Sequence, residues 1–571
     1  MNENSPEDRA VGGQLPADHP LLNRRRLFKF TFAAGGALIL GPGVLAACGS
    51  NDAGTGSGSA STPSEAAATS SDAGSPSVGS SAAATSGGGG GGSEGGGGGE
   101  LTVGVVADIS NFDPYYNGTP NFILLQNMNT FLLDYDDELT AHEAGLTAWK
   151  LNDDNTQITL TLRENVAMQS GSTWSAQDLV QGFERAADPD QGQQLNGPMS
   201  IVKSFKATDD NTVVLTFNSP VAELLVTDLL ENFPVTTKAT NNSDFFAAKG
   251  DGAGSFELKD RDPGNTVTLS RFADYWDAGA VSLDTLSFRI FDNADSMVTA
   301  LQSGALDVIY RFPAKNAAQL KDQFTIIEGY PGALVDCVRM NINVAPFDNI
   351  KLRQAIGRAL DRQRVVDEVY FGYGQPLFLP WGPNSPANDS SYAEKNSHDL
   401  DAAKKLWAEA GSPASGEAVA DSSNAAALSI LQILQQDLKS VGFDLQIKTL
   451  DSATFTERLL AGDFGLLMGG LGNTSKSPSR IATNSIFRIV DNPVLKDKTP
   501  QEYIDAIKAS ESATTPEAVQ KAYAELNRVI TEQAFGIPVC TNISLIATAK
   551  SVTGVTRDVD DRIVLKGAKK G

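Results

Sequence analysis

From about residue 100 to its end the sequence predicts an α/β protein, and three observations carry that expectation. Strand-like runs recur along the whole stretch, amphipathic helical segments stand between them, and the residues before it have the composition of neither. At roughly 150 residues per domain, 571 residues allow three or four domain-sized units.

At the N-terminus, Arg24, Arg25, Arg26 and Lys29 precede an apolar stretch at 30–47, loosened by Gly35, Gly36, Gly41, Pro42 and Gly43. A membrane span needs about 20 continuous apolar residues, so the stretch reads as the core of a signal peptide. Arg25 and Arg26 have the form of a twin-arginine export signal, an address read by a receptor. Leu45-Ala46-Ala47-Cys48 has the form of a lipobox, in which small residues admit the peptidase and the Cys48 sulfur takes the lipid. The expected division is a signal peptide at 1–47 and a tether at 48–99. Between 49 and 99, 17 Gly and 13 Ser occupy 30 of 51 positions, and Val78 is the one aliphatic side chain larger than Ala. Such a stretch cannot repay the entropy of folding, and as a flexible coil it spans about 40 Å.

The body then alternates. Runs at 101–106, 157–162, 212–217, 266–269 and 444–449 are continuous or alternating in apolar residues and read as strands. A helix at 179–187 opens on a capping box, Ser175 to Asp178, and carries Leu179, Phe183 and Ala186 on one face. Leu352, Ala355, Ile356, Ala359 and Leu360 form a second helical stripe, and Leu431, Leu434 and Leu438 a third, which Gly442 ends. Pro516 starts a helix that runs to about Gln533. The stretch 412–424, rich in Ala, Ser and Gly, reads as a weak internal linker.

Composition narrows function. With 45 basic and 69 acidic residues the net charge is −24, and no phosphate-tracking nucleic-acid partner is expected. Three His and three Cys leave little for metal or acid–base chemistry, and neither a metal nor a cofactor is expected. The body has no GxSxG elbow and no GxxxxGK[ST] loop, so the chain is expected to be no enzyme and any ATPase to act in trans.

Several segments together resemble the solute-binding proteins of ATP-binding-cassette importers, in the large peptide/nickel/opine-type family. The resemblance lies in the stretch from Leu139 to Arg185, in GAGSFELKDRDPGNTVTLSRFADYW from Gly252 to Trp276, and in MVTALQSGALDV from Met297 to Val308. It continues through Pro346-Phe347, Arg353-Gln354-Ala355-Ile356, Ala359-Leu360-Asp361-Arg362 and the helix at 402–411. Most of these residues read as structural: Trp276, Gly304, Asp307 and Arg353 for turns, caps and packing, and Gly252 and Gly254 for close backbone approach or positive φ.

The resemblance implies a two-lobed periplasmic-binding-protein-like fold (type II, cluster C-like) with a subdomain inserted in the first lobe. Lobe I is expected at 100–141, 236–335 and 536–571, the inserted subdomain at 142–235, and lobe II at 336–535. Hinge crossings are expected at 333–343 and 535–546, carrying Cys337 and Cys540, for which a disulfide and two buried thiols are both open.

The resemblance also implies a solute trapped between the lobes by Phe112, Tyr115, Tyr116 and Asn117 after the first strand, by Trp381, and by Leu471, Asn473, Thr474, Ser475 and Lys476. Peptide-binding members carry an Asp, for the peptide ammonium, where this chain has Thr474. Lys476 and Arg480 add positive charge there, unless both point to solvent. The expected ligand is therefore neutral, sugar-like or anionic rather than a free-amine peptide. The implied receptor is a lipid-anchored monomer on the outer face of the cell membrane, serving permease subunits and their ATPases. Its solute is a peptide, opine, sugar or organic acid, and an oligopeptide receptor or a ligand-presenting sensor are the alternatives.

Overall fold

The computed structural model describes residues 98–571, except 117, 473–475, 484–486, 490–491, 493 and 496–497, together with the backbone of Gly13–Gln14. The expected export and lipidation residues Arg25, Arg26 and Cys48 lie outside the described residues, as do Asn117, Asn473, Thr474 and Ser475.

Three main sheets organise the body. The first has the strand order Phe324–Glu328, Leu545–Ala549, Val308–Tyr310, Glu100–Val105, Thr285–Ile290, Thr266–Arg271, Phe256–Asp262. Its central strand Glu100–Val105 runs parallel to both neighbours and is covered on both faces, with Leu101, Val103 and Val105 buried on one and Gly104 against Met297, Leu306 and Ile309 on the other. The second is antiparallel, in the order Val202–Ala207, Thr212–Phe217, Gln157–Leu162, Leu146–Leu151, with Gly13–Gln14 paired at its open edge. Helix Ala176–Ala187 packs on it, its capping box formed in full by Ser175 and Asp178. The third sheet has the order Asp444–Leu450, Ser415–Asp421, Leu466–Gly472, Leu334–Met340, Gly536–Thr541. Helix Ala425–Val441 covers one face of it and ends at Gly442 in the left-handed conformation, φ 110°. Pro516 begins helix Pro516–Gln533 behind the Thr515 cap.

The stretch expected as an internal linker is instead strand Ser415–Asp421, paired in parallel on both sides. Its small residues serve close packing: a Cβ on Gly416 would lie 2.7 Å from the Phe347 ring and 2.8 Å from that of Phe443. Close approach also explains Gly252, where a Cβ would stand 1.9 Å from the Met128 carbonyl oxygen.

The chain passes from the first sheet to the third through 329–333 and returns through 542–544. The segments expected as crossings are thus largely paired strands of the third sheet, Leu334–Met340 against Gly536–Thr541. Their backbone groups are taken up in the ladder, and the shorter unpaired links between sheets are left to bend. Asp561 ties both links, accepting from the Tyr330 backbone N–H and, at 3.0 Å, from the Ser544 hydroxyl. Asp336, on strand Leu334–Met340, holds the start of the return link, accepting from Asn542 Nδ2 at 3.3 Å and also from the Tyr370 hydroxyl.

Burial pushes the Asp336 carboxyl up to about 6, against those hydrogen bonds. A raised acid binds its proton in the folded state before it does so unfolded. Its contribution to stability therefore falls as pH rises from about 4 through 6. Relative to wild type, Asp336→Asn is expected to gain up to about 3 kcal/mol between pH 4 and pH 7, at 1.36 kcal/mol per pKa unit. Urea unfolding of both proteins at the two pH values reads this directly. An unchanged difference would mean that Asp336 titrates as an ordinary carboxyl.

Cys337 and Cys540 are free thiols, both fully buried. They sit on adjacent strands but on opposite faces of the sheet, Cys337 packing with Trp381 and Leu471 and Cys540 with Leu352 and Ile537. A disulfide requires Cβ atoms that face one another, so the bridge left open by the sequence does not form. Unfolding without reductant should leave both thiols fully alkylated by iodoacetamide in the tryptic peptide map. A linked pair of peptides would contradict this geometry.

Candidate functional site

The seam between the lobes is built from three segments. Helix Glu223–Glu231 buries Val226, Leu229 and Leu230 in the core of the inserted sheet. Asp228 and Glu231, three residues apart on one helix side, are thereby carried to the seam. From lobe I, the hairpin Thr556–Arg557 and Ile563–Val564 closes on a turn in which Asp558 accepts from the backbone N–H groups of Asp560 and Arg562. The turn presents Asp560 and Arg562 beside Glu231. From lobe II, strand Leu466–Gly472 leads to Lys476 and to the 3₁₀ helix Pro478–Thr483, which carries Arg480.

Lys476 is 2 % exposed. Its Nζ lies 2.5 Å from Glu231 Oε2, 2.9 Å from Asp560 Oδ2 and 3.6 Å from Asp228 Oδ1. Arg480 Nη1 donates to Asp228 Oδ2 at 2.8 Å. Arg562 Nη2 reaches Glu231 Oε1 at 2.5 Å and Asp560 Oδ2 at 3.2 Å, its Nε bonds Asp558, and its guanidinium lies over the Phe131 ring. Burial pushes the Glu231 carboxyl up to about 7, Lys476 opposing it. Burial acts on Asp560 in the same sense, but Lys476 and Arg562 outweigh it and hold that carboxyl below its usual range. Two further contacts close the seam: the Ala222 N–H donates to the Glu511 carbonyl at 2.8 Å, and Asn384 Nδ2 to the Asp137 carbonyl at 2.7 Å.

This arrangement corrects two expectations. Lys476 and Arg480 neither point to solvent nor add unbalanced positive charge, because carboxylates of the opposite lobe neutralise them. Space beside Asp228, Arg480 and Glu511 amounts to about 50 Å³. Small-molecule sites usually offer about 300–1,000 Å³, so the space in this seam is too small for such a solute.

The remaining expected contacts are distributed differently. Phe112 is buried in the lobe I core with Ile109, Ile123 and Met128. Tyr115 is buried in the core of the inserted sheet, its hydroxyl donating to the Gly182 carbonyl at 3.3 Å. Tyr116, next in the loop, is half-buried. Asp113 accepts from the Tyr115 N–H and pairs with Arg185 Nη2 at 2.5 Å, which turns the Tyr115 ring inward under the Arg185 guanidinium. Trp381 and Leu471 are fully buried in lobe II, the Trp381 indole N–H donating to Asn527 Oδ1 at 2.7 Å. Large apolar side chains at these positions are claimed by the cores of the lobes that carry them, leaving charged groups on the seam.

Asp228, Glu231, Asp560 and Arg562 were missed. Their signals were an acidic pair inside the apolar run Leu224 to Phe233 and the cluster Asp558, Asp560, Asp561. Among the described residues no group of three or more His, Cys, Asp or Glu is disposed to hold a metal, and no helix is long and apolar enough to cross a membrane.

Two α/β lobes linked by two short passages, with a third subdomain on the first lobe and a charged seam between them, define a two-lobed periplasmic-type binding protein. The model of the bacterial extracellular solute-binding proteins, family 5, matches residues 142–485, and the chain belongs to that family. The glutathione-binding protein GsiB of Salmonella typhi is 24 % identical over 472 residues, covering 80 % of this chain and 91 % of its own. AgaA of A. tumefaciens R10, solved with agropinic acid, superposes with a TM-score of 0.71 at 22 % identity, covering 83 % of this chain and 99 % of its own. CtaP of Listeria monocytogenes superposes with a TM-score of 0.73 at 21 % identity, covering 83 % and 99 %.

Proposed function

We propose that this protein is the membrane-anchored extracytoplasmic receptor of an ATP-binding-cassette importer. On this reading a twin-arginine signal at Arg25-Arg26 directs export, lipid on Cys48 anchors the chain, and the Gly/Ser tether lets a monomeric body reach its permease. The solute is a small zwitterion of the peptide, glutathione or opine kind, held between the lobes until closure presents it.

The observation that carries the solute class is the opposition of charge across the seam. With the lobes parted, Asp228, Glu231, Asp558 and Asp560 face the cleft from one side with Arg562 among them, and Lys476 and Arg480 from the other. An ammonium suits the first set and a carboxylate the second, each replacing a partner lost on opening. The premise for a sugar or simple anion was unbalanced positive charge, and the carboxylates remove it.

Calorimetry with the full chain tests the reading, using glutathione, di- and tripeptides, their N-acetylated forms, sugars and organic acids. Micromolar binding that weakens at least tenfold on N-acetylation is expected. Binding of sugars or organic acids in preference to every zwitterion would overturn the solute class. Turnover of the bound solute would overturn the receptor assignment.

A further inference from the structure

Lobe II holds a second cavity, of about 250 Å³, that shares no residue with the seam. Its apolar walls are Phe378, Leu406, Ile530, Ala534, Ile537 and Pro538. For scale, a cavity of about 150 Å³ accommodates benzene.

One end of the cavity is cationic and short of partners. Arg362 is 4 % exposed, yet among the described residues no carboxylate pairs with it. Its Nε donates to the Pro538 carbonyl at 2.9 Å and its Nη1 to the Gly357 carbonyl at 3.0 Å, with longer contacts of 3.5 Å to the Leu360 and Asn396 carbonyls. Among the described residues Nη2 has no hydrogen-bond partner, and the guanidinium lies beneath the Phe378 ring, 4.8 Å from its centroid. Asn396, also lining the cavity, has a buried Nδ2 with no hydrogen-bond partner. Arg358 adds a second guanidinium, paired with Asp399 at 3.0 Å. Glu532, the one acidic residue on the wall, gives its carboxylate to Arg528. Burial, with Arg358 adding to it, pulls the Arg362 guanidinium down to about 10, the direction expected of a cation lacking a counter-ion.

A buried guanidinium with a spare donor, a second unmet N–H and an apolar channel beyond them describe a receptor for one chemical type. We propose that this cavity is a second binding site, for a small monocarboxylate with an aromatic or short aliphatic body. The carboxylate takes the Arg362 Nη2 and Asn396 Nδ2 hydrogens, and the body lies along Leu406, Ile530 and Ile537. The site also touches the return strand: Gly536, Ile537 and Pro538 line it, and Arg362 holds the Pro538 carbonyl two residues before Cys540.

The test is calorimetric titration of the full chain with benzoate and hexanoate, and with benzamide as the uncharged control. Both acids should bind, and benzamide at least tenfold more weakly. Leu406→Trp fills the channel from a half-buried position and should weaken both acids at least tenfold. Asn396→Leu removes one donor and should weaken them several-fold. Arg362→Gln should abolish binding where it folds, and the other two variants decide the matter where it does not. Lys476→Ala should leave the acids' affinity unchanged. Absence of binding at millimolar acid, indifference to Leu406→Trp, or loss of binding in Lys476→Ala would each overturn the proposal. The last outcome would place the acids in the seam and leave the receptor reading intact.

Discussion

Lys476→Ala is expected to open the protein. The ammonium is the shared counter-ion of Glu231, Asp560 and Asp228, all 4 % exposed or less. Removing one partner of a buried pair leaves the other charge uncompensated, at a cost of roughly 3–5 kcal/mol. That cost falls on the closed arrangement, because Lys476 belongs to one lobe and the carboxylates to the other, and water reaches them once the lobes part. At about 1.4 kcal/mol per tenfold, the closed-to-open ratio falls by a factor of roughly 150–4,000. Small-angle scattering should report a larger radius of gyration for Lys476→Ala, and Lys476→Arg should stay close to wild type. Adding Glu231→Gln to Lys476→Ala should recover part of the closure, since it removes one of the stranded charges. An unchanged radius for Lys476→Ala would mean that the pairs do not hold the lobes together.

Arg185→Ala is expected to be the single change that most damages the expected ligand loop, which Arg185 holds from helix Ala176–Ala187 through Asp113. The guanidinium is 5 % exposed, pairs with Asp113 at 2.5 Å and Asn241 at 2.8 Å, and lies 4.3 Å from the centroid of the Tyr115 ring. Its loss strands a buried Asp113 and unpacks Tyr115, and roughly 3–5 kcal/mol of stability should go with it. Lysine offers a point charge where a planar fork is needed, so Arg185→Lys should recover little. Urea unfolding of Arg185→Ala and of the double variant with Asp113→Asn separates the causes. The double variant should lose less, because no buried charge is left alone. A loss below 1 kcal/mol in Arg185→Ala would show that the pair does not hold the loop.

Much of the local architecture could be read without coordinates. The capping box at Ser175, the Gly442 stop and the Pro516 start rest on backbone chemistry within a few residues, and each appears where expected. Strand Gln157–Leu162 alternates polar, more exposed positions with buried apolar ones as its sequence does, and Thr212–Phe217 alternates half-buried with buried positions. Ser415–Asp421 was illegible for the opposite reason. A strand buried on both faces beside helices needs small residues, and Gly416, Ala418 and Ala420 have the composition of a linker.

The candidate site was legible only in part. Lys476 stood out as a charge in an otherwise neutral segment, but its meaning depended on partners 245 and 84 positions away. Phe112, Tyr115, Trp381 and Leu471 looked suited to a pocket, yet apolar side chains of that size are first drawn into their own cores.

By itself, then, the sequence determined the α/β class, the family resemblance and the local ends of helices, because each depends on composition, order or neighbours within a few residues. Only the tertiary structure decided that Cys337 and Cys540 face apart, that Lys476 and Arg480 are neutralised across the seam, and that Arg362 lies buried without a counter-ion among the described residues. Strand faces, desolvation and the balance of buried charge are set by segments distant in sequence, and no local pattern of residues records them.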